Sequence, residues 1–264
     1  ADVLDDQNID PDKIEEKITE KTKVIMPVHL TGRVCKMDKI MRIAKKYNLK
    51  VIEDAAQAIG SKYRGIYAGK FGDFGCFSAH PLKNLNALGD SGYLISKSKK
   101  NSNYIRNLKS HGMSNRDRVK KFGLVSRMDN IQAAILSYRL QKLNIVIKER
   151  RKNYEIYKNY LDRKLIFFPD EQCEQFNTYH TFVVQVPKRD LLKKFLKKKG
   201  VETAIHYPVP IHLQPAAKNL GYKYGDFPNC EKQAKTILTL PINQFLKKKE
   251  IIYISNQVNK FYSQ

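Results

Sequence analysis

Two residues of opposite charge, Asp54 and Lys83, form the pair in this sequence with the clearest chemical potential. Asp54 follows the short apolar run Leu49 to Glu53, which is typical of a buried strand in a parallel sheet. Lys83 follows a second such run, Phe74 to Ser78. Open α/β sheets bind ligands at the carboxyl ends of their strands. We therefore expect Asp54 and Lys83 to end two strands of one sheet and to share a crevice.

The chemistry open to this pair is that of a pyridoxal phosphate (PLP) site. Desolvation at an apolar strand end favours the neutral form of a lysine such as Lys83, and a neutral amine can condense with an aldehyde to form a Schiff base. A carboxylate such as Asp54 keeps a heterocyclic nitrogen protonated, so that the ring becomes an electron sink. On spacing alone, an ordinary surface lysine and an aspartate that caps a helix remain the alternatives.

Length and cysteine content set the class of protein. A chain of 264 residues is expected to form one large domain and a smaller second one. It contains no apolar run of membrane length and no signal-peptide pattern, which favours a cytoplasmic protein with no membrane partner. The cysteines form no CxxC pair, so we expect reduced thiols and neither a zinc site nor a disulfide framework. They are Cys35, Cys76, Cys173 and Cys230.

The chain is strongly basic, with a formal net charge of +23 and a pI near 9.7. Its basic runs, Lys45 to Lys46, Lys197 to Lys199 and Lys247 to Lys249, are expected at helix ends or on polar helix faces. No basic stripe alternates with aromatic residues, as single-stranded nucleic-acid sites require. We therefore favour a solvated surface and no nucleic-acid partner. A nucleic-acid-binding protein, the alternative, would bind with a steep dependence on salt.

Several longer motifs resemble the DegT/DnrJ/EryC1/StrS family of nucleotide-sugar aminotransferases, and they occur in the family's order. They are PVHLTG (27 to 32), EDAAQA (53 to 58), GDFGCFSAHPLKNL (72 to 85), ALGDSG (87 to 92), SRMDNIQAAIL (126 to 136) and ETAIHYPVPIHLQPA (202 to 216). The resemblance implies the aspartate-aminotransferase fold, that of fold type I PLP enzymes. The expected parts are an α/β/α three-layer large domain that lacks its N-terminal part (1 to 147) and a small α+β C-terminal domain (148 to 264).

The resemblance also implies roles for four residues around the cofactor. Lys83 would form the Schiff base with PLP and then move the proton, and Asp54 would pair with the pyridinium nitrogen. Gln57 matches the family residue near the ring and its 3-oxygen, and Ser78 matches a hydroxyl that contacts the phosphate. A helix-surface amide and a strand-end cap are the structural alternatives for Gln57 and Ser78.

The substrate side is implied by the loop that contains His206 and His212, for which simple loop packing is the alternative. The implied reaction transfers an amino group, with glutamate as the expected donor, to a nucleotide-linked keto-sugar in polysaccharide or deoxysugar biosynthesis. KNLNALGD (83 to 90) resembles the form found in enzymes that aminate the 3-position of the sugar. Sites of this fold are built across a dimer, so a homodimer is expected.

Departures from the family pattern leave two alternatives open. Val125 stands where the family usually has an asparagine that reaches the partner's cofactor phosphate, and valine cannot donate that hydrogen bond. Asn86 and Ser91 replace glycines. With a missing start as well, the chain could be a non-catalytic remnant that only dimerises. A PLP-dependent sugar dehydratase is the second alternative, although that branch replaces the lysine with histidine and Lys83 therefore favours transamination.

Coarser patterns predict the connecting elements. The spacing predicts a helix over Ile14 to Thr19, a mobile loop over His111 to Phe122, and a strand that starts at Val201. Ser126 and Asp129 resemble a capping box at the start of a long helix. A strand, a helix and a second strand around residues 23 to 53 predict a βαβ unit.

Overall fold

A computed structural model describes residues 1–263, which form a set of helices linked to short strands. The α-helices are α1 (Met37–Lys46), α2 (Lys99–Leu108), α3 (Asn130–Leu140), α4 (Leu143–Tyr160), α5 (Arg189–Lys198), α6 (Pro228–Thr236) and α7 (Lys248–Tyr262). The strands are β1 (Val24–Ile25), β2 (Lys50–Asp54), β3 (Lys62–Tyr63), β4 (Ile66–Tyr67), β5 (Phe74–Ser78), β6 (Gly92–Ile95), β7 (Met113–Asn115), β8 (Arg118–Val119), β9 (Gln175–Phe176), β10 (Phe182–Gln185) and β11 (Ile237–Leu240).

The central sheet has the strand order β1-β2-β5-β6. The pairs β1–β2 and β2–β5 are parallel, and β6 is antiparallel to β5. Helix α1 returns the chain from β1 to β2 and buries Met37, Ile40 and Ala44, so the predicted βαβ unit is confirmed. Asp54 lies opposite Cys76 in the β2–β5 register. The ends of two adjacent parallel strands therefore carry the residues around the predicted site.

Buried side chains separate into clusters that follow the chain. One cluster joins residues between Ile14 and Phe77, a second joins residues between Ala79 and Ile147, and a third joins residues between Tyr154 and Val258. We propose that these clusters mark the two domains 1 to 147 and 148 to 264, with the boundary inside α4. The second part combines α5, α6 and α7 with the antiparallel pair β10–β11.

Four local predictions were wrong. Residues 14–19 do not form an α-helix, because the chain makes two short 3₁₀ turns, Pro11–Lys13 and Glu15–Lys17, and is extended at Ile18. The predicted loop at 111–122 contains the hairpin β7–β8. Only an isolated bridge, Ala204 to Thr239, replaces the strand expected from Val201.

The fourth concerns the capping box. Helix α3 has Asp129 at its N-cap, with no side-chain capping bond, and ends at Leu140 before α4 begins.

Long-range pairing produced an element that local patterns did not predict. Strands β4, β3 and β9 form a small sheet in which Lys62 lies opposite Phe176. Each of these strands is two residues long, so no alternating pattern marks them. Within residues 1–263, no helix is long and apolar enough to cross a membrane.

Candidate active site

Asp54 is held at the end of β2 by hydrogen bonds on both sides of its backbone. Its N–H donates to the carbonyl of Pro27 at 2.9 Å, and its carbonyl accepts the N–H of His29 at 2.9 Å. One carboxylate oxygen, Oδ1, accepts the N–H of Ala56 at 3.0 Å. These bonds restrict the orientation of the carboxylate and leave Oδ2 for another partner.

Lys83 lies in a tightly turned segment after β5. Its N–H donates to the carbonyl of His80 at 2.9 Å. The side chain of Asn86 donates to the carbonyl of Pro81 at 2.6 Å, and Arg139 of α3 donates to the carbonyl of Asn86 at 2.7 Å. Asn86, where the motif resemblance predicts a glycine, therefore helps to close this turn and lies outside the residues with positive φ.

The side chain of Lys83 lines a cavity of about 400 Å³ at the carboxyl end of the sheet. Burial lowers the pKa of the Lys83 amine, and the negative charge of Asp54 partly offsets this effect. A larger share of the neutral amine is therefore present near neutral pH than for an exposed lysine. Other residues that line the cavity are Gln57, Ser78, His80, Leu82, Asp90, Ser91, His180, Thr181, His206 and Tyr207.

Gln57 and Ser78 each present a free donor at this cavity. The amide oxygen of Gln57 accepts the N–H of Thr31 at 2.7 Å, so its NH₂ group remains available. The hydroxyl oxygen of Ser78 accepts the N–H of His80 at 3.3 Å, which leaves its O–H free to donate. Both arrangements suit an acceptor-rich ligand such as a phosphate or a ring oxygen.

A fully buried hydrogen-bonded pair, His29 and Glu53, lies beside the site. Nε2 of His29 contacts the Glu53 carboxylate at 2.9 Å, and Nδ1 of His29 accepts the N–H of Cys35. The Glu53 oxygens also accept three backbone N–H groups of the loop 69–72, each at 2.7 Å. Burial alone would raise the pKa of Glu53, but the bonds from His29 and from the loop outweigh it and lower the pKa. This pair holds the strand that ends in Asp54.

The two histidines predicted on the substrate side have different surroundings. His206 lines the cavity, and its Nδ1 lies 2.9 Å from Oγ1 of Thr239. Burial and the nearby charge of Lys83 lower the pKa of His206. His212 instead is buried against Glu231, with Nε2 at 2.9 Å from the carboxylate, and does not line the cavity. The structure therefore brings His206, but not His212, to Lys83.

Sequence reasoning missed His180. Its side chain lines the cavity together with Lys83 and His206. Burial lowers the pKa of His180 to about 3, with smaller contributions from the charges of Lys83, Arg150 and His206. The only sequence signal was its place two residues before β10. This signal is weak, because a histidine at a strand start has no distinctive spacing.

A comparison with protein families matches residues 1–259 of the chain to the model described as the DegT/DnrJ/EryC1/StrS aminotransferase family. The chain belongs to this family. The match confirms the family predicted from the motifs, and with it an aminotransferase as the class of enzyme.

Two relatives show the extent of the similarity. A "pleiotropic regulatory protein" of Geobacillus stearothermophilus is 41% identical over 258 residues, which cover 97% of this chain and 69% of that protein. A dTDP-3-amino-3,6-dideoxy-alpha-D-galactopyranose transaminase of Aneurinibacillus thermoaerophilus is 38% identical over 254 residues, which cover 96% of this chain and 69% of that protein. The chain thus corresponds to a little over two thirds of each relative.

A solved structure confirms the fold. The crystal structure of DesV from S. venezuelae superposes with a TM-score of 0.95 at 31% identity, covering 99% of this chain and 71% of DesV. The fold is therefore that of fold type I aminotransferases, as predicted.

Proposed function

We propose that this chain is a PLP-dependent aminotransferase that transfers an amino group from glutamate to a nucleotide-linked keto-sugar. The observation that carries the proposal is the amine of Lys83, which has a lowered pKa in a cavity and feels the charge of Asp54 from the adjacent strand. The name of the Aneurinibacillus relative, a transaminase of a dTDP-linked amino sugar, supports the substrate class.

The residues present fit PLP. Lys83 would hold its aldehyde carbon, Asp54 would pair with its ring nitrogen, and the free donors of Gln57 and Ser78 suit its oxygens. When bound, PLP supplies an electron sink for the carbon that loses its proton. No cluster of residues suited to a metal ion occurs in the part of the chain that the structure describes.

The work left to the protein is proton transfer. Lys83, with its lowered pKa, can take a proton as a neutral amine and return it as an ammonium group near neutral pH. Asp54 limits this lowering, because its negative charge favours the ammonium form. Burial and Asp54 therefore act in opposite directions on the pKa of this amine.

We propose the 3-position of the sugar as the site of amination. The motif KNLNALGD (83 to 90) includes Lys83 and resembles the form found in enzymes that aminate this position. The Aneurinibacillus transaminase carries a 3-amino sugar in its name.

We also propose that the chain acts as a homodimer. Helix α3 begins inside the motif SRMDNIQAAIL (126 to 136), which resembles the family's dimer-contact segment, and exposes Ile131 and Tyr138, two turns apart on one face, by 59% or more of their area. Val125 is 60% exposed. An exposed apolar face of this kind suits burial against a second copy. Light scattering at micromolar concentration should give the mass of a dimer, and a monomer would contradict the proposal.

The experiment that tests the reaction supplies the protein with PLP, glutamate and a panel of nucleotide-linked 3-keto and 4-keto sugars. We expect 2-oxoglutarate and a 3-amino sugar, with the position assigned by NMR, and no product from Lys83→Ala. The surface variant Lys164→Ala serves as control and should behave as wild type. PLP binding without transfer to any keto-sugar would contradict the proposed reaction, and failure to bind PLP would favour the non-catalytic remnant.

A further inference from the structure

Hydrogen bonds from Arg150 hold the backbone around His180 in place. Nη1 of Arg150 donates to the carbonyls of Tyr179 and His180 at 3.0 Å and to that of Ile242 at 2.9 Å. The Tyr179 ring stacks on Tyr154 with centroids 4.1 Å apart. These contacts fix the backbone from which the His180 ring enters the cavity wall, so the ring is part of a built surface.

The two ring nitrogens of His180 differ. Nδ1 is enclosed and makes no hydrogen bond within residues 1–263. Because buried N–H groups without an acceptor are rarer than unpaired acceptors, the proton of the neutral ring belongs on Nε2. A protonated ring would place an unsatisfied N–H at Nδ1, and Lys83 and Arg150 add positive charge nearby. His180 therefore stays neutral and offers Nε2–H as its donor.

A neutral donor at this place has a specific use. A second cation would repel the ammonium form of Lys83, and a carboxylate would raise the pKa of Lys83. An imidazole N–H can orient an oxygen-rich ligand without either effect. His180 also lines a neighbouring cavity of about 780 Å³, so this residue borders both spaces.

We propose that His180 is a substrate-contacting residue, which donates Nε2–H to a keto or hydroxyl oxygen of the sugar. This inference rests on the proposed function and adds a specificity residue to it. The bond would form only with the sugar substrate, so His180 should matter for the sugar half of the reaction and not for the glutamate half.

Three substitutions separate the donor from the shape of the ring. His180→Phe keeps a flat ring and removes the donor. His180→Gln places an amide N–H near the position of Nε2, and His180→Asn places one near Nδ1 instead. His111→Phe, at an exposed histidine in the segment before β7, is the matched control. Thermal unfolding of each variant checks that it folds.

Two measurements on the PLP-loaded protein would test the role of His180. In His180→Phe, the KM for the keto-sugar and the Kd of the nucleotide-sugar, measured by calorimetry, should each rise about tenfold. The rate of the glutamate half-reaction, followed by cofactor absorbance, should stay unchanged. His180→Gln should recover most of the affinity, and His180→Asn should show the same loss as His180→Phe. His111→Phe should behave as wild type.

Other outcomes would overturn the inference. Unchanged sugar affinity in His180→Phe, or equal affinity in the Gln and Asn variants, would show that Nε2 makes no such bond. An equal loss in both half-reactions would show a role in shaping the cavity. If His180→Phe does not fold, the Gln and Asn pair decides. Wild-type protein that binds no nucleotide-sugar would contradict the proposed function itself.

Discussion

Two kinds of histidine occur in this chain, and their surroundings differ. His29 and His212 each lie 2.9 Å from a buried carboxylate, that of Glu53 or Glu231. Each carboxylate also accepts backbone N–H groups from a nearby loop, such as that of Gly225 for Glu231. These paired histidines close loops onto the fold, and each uses Nε2 for a bond to a carboxylate of the protein.

The cavity histidines His180 and His206 have no carboxylate partner among the described residues, whereas the more exposed His80, which also lines the cavity, lies 3.8 Å from the carboxylate of Asp90. His206 contacts a threonine hydroxyl, and Nδ1 of His180 contacts no polar atom. Both have a lowered pKa because of burial and the charge of Lys83. The comparison teaches that a buried carboxylate partner marks the structural histidines His29 and His212. Burial and the charge of Lys83 instead favour the neutral form of His180 and His206 beside Lys83.

The largest loss of activity is expected when the Lys83 side chain is removed. Lys83→Ala should lower amino transfer by about 10⁴-fold or more, because the group that moves the proton is lost. Its thermal stability should stay equal or rise, since the amine is partly desolvated. A steady-state assay and a thermal melt measure the two properties, with Lys164→Ala as control. Residual activity within tenfold of wild type would contradict the role of Lys83.

Substitution of the buried carboxylate of Glu53 should instead mainly lower stability. Glu53→Gln removes the negative charge and replaces the oxygen that accepts from His29 and the N–H of Gly69 with an NH₂ donor, so the free energy of unfolding should fall by about 3 to 5 kcal/mol. Urea denaturation measures this loss. Glu155→Gln, at an exposed position, should change stability by less than about 0.5 kcal/mol. Equal stabilities of the two variants would remove the structural role assigned to the pair.

His206 and His212 offer a direct contrast, because they lie six residues apart in one loop. His206→Leu should lower activity about tenfold through the lost hydrogen-bonding group while the melting temperature changes little. His212→Leu should lower the melting temperature, because Glu231 loses its partner, and leave the activity of the folded fraction unchanged. The reverse pattern would mean that the comparison assigns the two residues wrongly.

The smallest effect is an acid dependence. The pKa of His180 is about 3 when folded, against about 6.5 when unfolded, so the unfolded chain binds the extra proton between these values. Stability should therefore fall as the pH drops below 6.5. Between pH 7.5 and 5, wild type should lose about 1 to 2 kcal/mol relative to His180→Phe in urea unfolding. Parallel pH curves would show that His180 gains a proton in the folded state.

Local patterns predicted the centre of the molecule well. The strand expected at 49–53 occurs at 50–54 and that at 74–78 occurs as predicted, because apolar runs followed by polar residues are a strong signal. The placement of Asp54 and Lys83 at neighbouring strand ends followed from these two strands. Their roles toward PLP remain predictions.

Other features depend on long-range packing and were not predictable in this way. His206 and His212 share one proline-rich loop, and only the fold shows that His212 meets Glu231. The surroundings of His180 depend on Arg150, which lies 30 residues away in the chain. The sheet formed by β3, β4 and β9 joins segments more than 100 residues apart. No local pattern contains such information.

The central claim is that Lys83 is the residue that holds the cofactor. The direct test adds PLP to the protein, reduces with borohydride and locates the modified lysine by peptide mass, with Lys83→Ala as control. Because Lys83 has a lowered pKa, labelling near pH 7 should favour it over the many surface lysines. A single label on Lys83 is the predicted result. No label, or a label spread over surface lysines and retained in Lys83→Ala, would contradict the account.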